Sequence, residues 1–178
     1  MTEPEVSLYI ATYYIKNGLT KNHVRVSIDG AHVKTGNTIH FDIWKFFSDN
    51  DFIKLDSDAD KWQGEYEFDG MDAHIIISST PGAGDVRIET LDGKSIIVES
   101  KKGKNDKKGQ EYPLMREAIG QLMTNEYCGE DVTPVVAVPY SGKSFELATR
   151  WIKLPQIQAV GIKFFLAKED GNIVTIDK

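Results

Sequence analysis

Residues 85–101 read Asp85-Val-Arg-Ile-Glu-Thr-Leu-Asp-Gly-Lys-Ser-Ile-Ile-Val-Glu99-Ser-Lys101, two strand-like segments around Asp92-Gly93. This stretch restricts the fold tightly, because a hairpin turn decides which residues face each other and a one-residue slip moves every side chain to the opposite face. A two-residue Asp92-Gly93 turn pairs Leu91 with Lys94 and sets Val86 against Glu99 and Arg87 against Val98. A three-residue loop, Leu91-Asp92-Gly93, pairs Thr90 with Lys94 and has glycine at the third position, where the backbone turns left-handed. It brings Val86 to Val98 and Ile88 to Ile96, two apolar pairs on one face. The pattern therefore predicts the longer loop, with Asp85 opposite Glu99 and with Asp85, Glu99 and Lys101 sharing a face.

Two carboxylates and an ammonium at one end of a hairpin suit metal-assisted phosphodiester hydrolysis. Carboxylate oxygens hold Mg²⁺, which polarises a phosphoryl oxygen and lowers the pKa of an attacking water, while a nearby lysine orients that water or stabilises developing charge. An ordinary solvent-facing strand pair beside a turn aspartate is the plainer reading of the same residues. The constellation resembles the PD-(D/E)XK superfamily of restriction-endonuclease-like nucleases over about residues 75–140. Asp85 matches the family's motif aspartate, Glu99 its second acid and Lys101 its lysine. Gly84, not proline, precedes Asp85, and Pro81 lies four residues before it.

The resemblance implies metal binding by Asp85 and Glu99, with Mg²⁺ as cofactor and Mn²⁺ as a substitute. It implies activation of water by Lys101 and products with a 5′-phosphate and a 3′-hydroxyl. DNA is the implied substrate, with RNA left open, and a homodimer or partner subunit would supply target recognition. The alternative function is a non-catalytic nucleic-acid-binding or assembly module with the same fold, and a small interaction domain is a third.

The chain has 178 residues, enough for one domain with a proper core. No apolar run approaches membrane-spanning length and no signal-peptide pattern opens the sequence, so a cytoplasmic protein is expected. A single cysteine, Cys128, excludes an internal disulfide framework. The net charge of -6 argues against a simple polyanion binder, yet it is unevenly spread. Residues 1–93 hold sixteen acids and eight bases, whereas residues 94–178 hold eleven and thirteen. Lys102, Lys104, Lys107 and Lys108 cluster beside the motif as candidate phosphate contacts, or as a solvated loop.

Thr2-Glu-Pro-Glu5 is a capping box for a helix through about Lys16. A small hairpin is expected around Asp29-Gly30 (residues 24–28 and 31–33), then a helix capped by Thr38 running to about Phe47. An acidic loop over residues 48–60 lacks the glycine and terminal glutamate of a calcium loop. Strands near 65–68 and 73–78 precede the motif hairpin. A helix over 113–127 and a strand over 135–138 then form a crossover unit that makes the last strand parallel to 95–101. A short helix at 144–152 and a hairpin over 161–176 close the chain.

The expected class is α/β (α+β), a restriction-endonuclease-like mixed sheet flanked by helices. It forms one domain of residues 1–178, with 1–38 an N-terminal extension, about 39–140 the catalytic core and 141–178 a C-terminal helix and hairpin. The helix near 40–53 is the candidate first core helix.

On the 113–127 helix, Gln121 best fits a family position beside the metal, and Glu117 is second. The Gln-x-x-x-Tyr pattern of one subgroup is not met, because Asn125 stands at the tyrosine position. Glu5, Asp42, Glu65 and Glu117 are open alternatives for a further acidic ligand. Ser141-Gly142-Lys143-Ser144 resembles a P-loop end, but Ala137 stands where its first glycine belongs, leaving Lys143 as a phosphate contact at a helix start. His23, His32, His40 and His74 show no paired ligand spacing, so no zinc site is expected.

Overall fold

The computed structural model describes residues 1–55, 61–103, 109–129 and 131–177. The chain opens as its capping box requires. The Thr2 hydroxyl accepts the Glu5 N–H, the Glu5 carboxylate accepts the Thr2 N–H, and helix α1 (Glu3–Lys16) follows. Then come β1 (Val24–Ser27), α2 (Gly30–Val33), β2 (Lys34–Thr35), β3 (Thr38–Ile39), α3 (Ile43–Asp49), β4 (Phe52–Lys54), β5 (Gly64–Phe68) and β6 (Ile75–Ser78). The second half holds β7 (Val86–Glu89), β8 (Ser95–Ser100), α4 (Glu111–Met123), β9 (Val132–Pro139), α5 (Gly142–Trp151), α6 (Pro155–Val160), β10 (Lys163–Ala167) and β11 (Ile173–Ile176).

Nine strands form one mixed sheet in the order β11-β10-β9-β8-β7-β1-β6-β5-β4, and β2-β3 is a separate ribbon. The crossover through α4 makes β8 and β9 parallel, with Val98 beside Val135 and Ser100 beside Ala137. These central strands read as unbroken apolar runs because the sheet is covered on both faces. Ile96, Val98, Val135 and Ala137 join the core beneath α1, while Ile97, Val136 and Val138 join the core shared with α4 and α5. No described helix is long and apolar enough to cross a membrane.

The motif hairpin has the three-residue loop. Thr90 N–H donates to the Lys94 carbonyl at 2.8 Å, Gly93 sits at φ +83°, and Val86 pairs with Val98 and Ile88 with Ile96. At its open end Asp85 N–H also donates to the Val98 carbonyl, so two residues meet Val98 as in a β-bulge. Gly84 sets up that approach at φ +137°, and a Cβ there would lie 2.7 Å from Ile97 Cγ2 and 3.0 Å from the Val98 oxygen. Gly84→Ala is expected to destabilise the fold by about 2–3 kcal/mol through strain and overlap. Urea denaturation checks this, and an unchanged midpoint would refute it.

Several sequence expectations are corrected. Residues 24–33 do not form a hairpin. Asp29 accepts the Ala31 N–H and starts α2, while β1 inserts between β6 and β7 and buries Val24 and Val26. Thr38 does not cap a helix but pairs with Thr35. Asp42 accepts the Lys45 N–H and caps α3 at Ile43, its carboxylate being the stronger competitor for the free N–H groups. Helix α4 ends at Met123, short of the expected residue 127, with Thr124 as its cap. Helix α6 was not expected, although Pro155 at its start and left-handed Gly161 at its end are standard signals. The 48–60 stretch contains edge strand β4, and its residues 56–60 lie outside the described residues. Helix α1, in the expected N-terminal extension, packs against β1, β7, β8 and β9, so that segment is integral to the sheet.

Candidate functional site

The site grows from the ends of β7 and β8. Strand alternation turns Glu99 to the same side as Ile97, toward α4. Lys101 lies just past β8 on the same side, its N–H held by the Ala137 carbonyl at 2.8 Å. Its side chain is only 6% exposed, and Nζ lies 3.2 Å from Glu99 Oε1 and 3.3 Å from Glu117 Oε1. Asp85 is held by backbone, since Ser100 N–H donates to its Oδ2 at 2.7 Å. Beneath it, Ser7 of α1 donates to Ser100 Oγ at 2.9 Å in a buried hydroxyl pair. The sheet end and α1 are thus joined directly under the acids.

Asp85 and Glu99 face a cavity of about 740 Å³ that Gln121 of α4 and Asn125, just past the end of that helix, also line. Asn125 further anchors the loop before Asp85 through a 3.0 Å bond to the Ala83 carbonyl. The electrostatics follow from burial and crowding. Burial, and then the Glu99 charge, push the Asp85 carboxyl up to about 7 against the opposing Ser100 N–H. Burial also raises Glu99 although the Lys101 ammonium opposes it. Burial disfavours the Lys101 charge, but Glu3, Glu99 and Glu117 outweigh it and raise that group. Two crowded carboxylates that resist joint ionisation gain from a cation between them. With Asp85 Oδ2 bonded to Ser100 N–H and Glu99 Oε1 to Lys101, the second oxygen of each carboxylate suits a hard divalent cation that keeps several waters.

Glu3 was missed by sequence reasoning. It raises Asp85 and Glu99, supports the Lys101 charge, and lines a small recess with Asp85 and His32. His32 Nδ1 lies 3.8 Å from Glu3 Oε1. The signal was available: the capping box occupies Glu5, while Glu3 and Ser7 share a helix face at i, i+4 spacing, and Ser7 is a buried serine.

Of the four open acids, Glu5 caps α1, Asp42 caps α3 and Glu65 sits beside His74, whereas Glu117 reaches Lys101. Lys102 is exposed next to the site, and Lys104, Lys107 and Lys108 lie outside the described residues. Lys143 is at the start of α5, where its ammonium donates to both carboxylate oxygens of Glu146 on the same helix, at 3.0 and 2.8 Å. No protein-family model, curated protein sequence or solved structure matches this chain.

Proposed function

We propose that the chain is a Mg²⁺-dependent nuclease of the PD-(D/E)XK superfamily with a restriction-endonuclease-like fold, hydrolysing DNA. One observation carries the reading: Asp85 and Glu99 line one cavity, and the buried Lys101 bonds to Glu99 beside it. The β7-β8-α4-β9 order supports it, and α1 rather than α3 serves as the first core helix, with Glu3 as the further acid.

Bound at Asp85 and Glu99, Mg²⁺ would polarise the phosphodiester and acidify a water. The chain's own residues do the rest. Ser100 N–H fixes one Asp85 oxygen and leaves the other toward the cavity. Glu99 and Glu117 each take one Lys101 bond, so one of the three ammonium donors remains to orient the water or meet charge on phosphate. Gln121 and Asn125 offer amides to the phosphate or sugar along the cavity wall.

The test uses purified protein with plasmid, linear duplex, single-stranded DNA and RNA, each in Mg²⁺, Mn²⁺ or EDTA. Cleavage that needs the metal and disappears in Glu99→Gln is expected. Metal-independent cleavage, or binding of every substrate with cleavage of none, overturns the reading, the latter in favour of a non-catalytic module.

A further inference from the structure

The far end of the same sheet gathers two histidines and a glutamate that are widely separated in sequence. Strands β1 and β6 are parallel and in register, Val24 beside Ile75, so the residues just before them, His23 and His74, come side by side. Their rings are 5.0 Å apart and tilted by 31°. Strand β5 lies on the other side of β6, and its Glu65 reaches across so that Oε1 is 2.7 Å from His74 Nδ1. The His74 N–H donates to His23 Nδ1 at 2.9 Å. Each of the three side chains offers a ligand atom, and these atoms lie within 4.8 Å of one another. His23 also borders a pocket of about 390 Å³ shared with Lys21 and Asp72, which gives an ion a route from solvent.

We propose that His23, Glu65 and His74 bind a divalent transition-metal ion of the Zn²⁺ class, separately from the carboxylate site. Two imidazoles and one carboxylate favour Zn²⁺, Co²⁺ or Ni²⁺ over Mg²⁺, whose preferred ligands are all oxygen. Three protein ligands leave a fourth position for water. In the arrangement described, His23 Nδ1 holds a backbone proton, so ligation exchanges that hydrogen bond for a coordinate bond after a small turn of the ring. The ion would join the starts of β1 and β6 to β5, three neighbouring strands on the half of the sheet away from α4. The carboxylate site is elsewhere: Ser27, at the opposite end of β1 from His23, is the residue whose N–H binds the Asp85 carbonyl. Four residues of strand separate the two, about 13 Å.

The experiment uses the full chain carrying Asp85→Asn, which removes one of the two carboxylates of the other site, and the His74→Ala and Glu65→Gln variants assign any remaining binding. Co²⁺ is titrated while its visible absorption is followed, then displaced with Zn²⁺, and thermal melts are recorded with and without Zn²⁺. Saturable binding of one ion per chain is expected, with a higher melting temperature and no displacement by excess Mg²⁺. His74→Ala and the milder Glu65→Gln, whose side chain lies partly at the surface, should each weaken binding by more than about tenfold. Absence of saturable Co²⁺ absorption overturns the proposal, as does binding unchanged in a folded Glu65→Gln or His74→Ala protein. Equal competition by Mg²⁺ overturns it too, because it marks an oxygen-only site.

Discussion

Lys101→Ala is expected to lower metal-dependent cleavage by about 10²–10⁴-fold and to weaken the fold by about 2–3 kcal/mol at pH 8. The two effects share a cause but separate cleanly. Removing the ammonium leaves Glu99 with a 12%-exposed side chain and no cation at 3.2 Å. Burial already raises that carboxyl, and losing Lys101 raises it further. A group whose folded pKa is raised stabilises the protein while protonated and loses that contribution as pH rises. The stability deficit of Lys101→Ala should therefore be largest near pH 8 and should shrink as Glu99 takes up its proton in acid. Adding Glu99→Gln removes the stranded charge, so the double variant should recover most of the stability and none of the cleavage. Urea titrations and cleavage rates on the same four proteins decide the matter. Full activity in the single variant would remove Lys101 from the chemistry.

Asp85→Asn should act in the opposite direction on stability. In EDTA at pH 8 the variant is expected to be more stable than the unsubstituted chain, by at most about 4 kcal/mol. Asp85 is pushed from 3.8 to about 7 by burial and by Glu99, so ionising it costs the fold free energy. Below about pH 4 this carboxyl is protonated in both folded and unfolded chains, and the penalty is absent. It develops as pH rises from about 4 through about 7, then levels off. An asparagine oxygen can still accept the Ser100 N–H, which keeps the local geometry. Mg²⁺ should stabilise the unsubstituted chain at pH 8 and leave the variant unmoved, and the variant should not cleave. Equal stability of the two proteins across this pH range would show that Asp85 carries no electrostatic strain.

Much of the site's immediate frame was legible in the chain. The hairpin register followed from two apolar pairs and one left-handed glycine, the α1 cap from Thr2 and Glu5, and the parallel β8–β9 pair from a helix-length connection. Each of these depends on side chains and hydrogen bonds a few residues apart, or on the reach of one crossover. The errors lie elsewhere. Residues 24–33 had a turn signal that fits a hairpin, but Asp29 caps a helix instead because β1 finds better apolar partners in β6 and β7. The sequence pattern starts the helix at Thr38, whereas Thr38 pairs with Thr35 and Asp42 caps α3, a difference set by the strand partner that Thr38 finds.

The same division runs through the chemistry. Alternation along one strand determined, without any structure, that Glu99 and Lys101 share a face, and the loop length brought Asp85 to the same open end of the hairpin, where the bulge at Val98 and the Ser100 N–H set its carboxylate. Which other groups join them was decided by the packing of α1 across the sheet and of α4 beneath it. That packing brings Glu3, from the start of the chain, and Glu117, from the helix that follows the motif, to Lys101. His23 and His74 are 51 positions apart and meet only because β1 and β6 lie parallel in the sheet. Local hydrogen bonding and strand periodicity are written residue by residue, whereas the choice of strand neighbours depends on burying apolar faces from the whole chain at once.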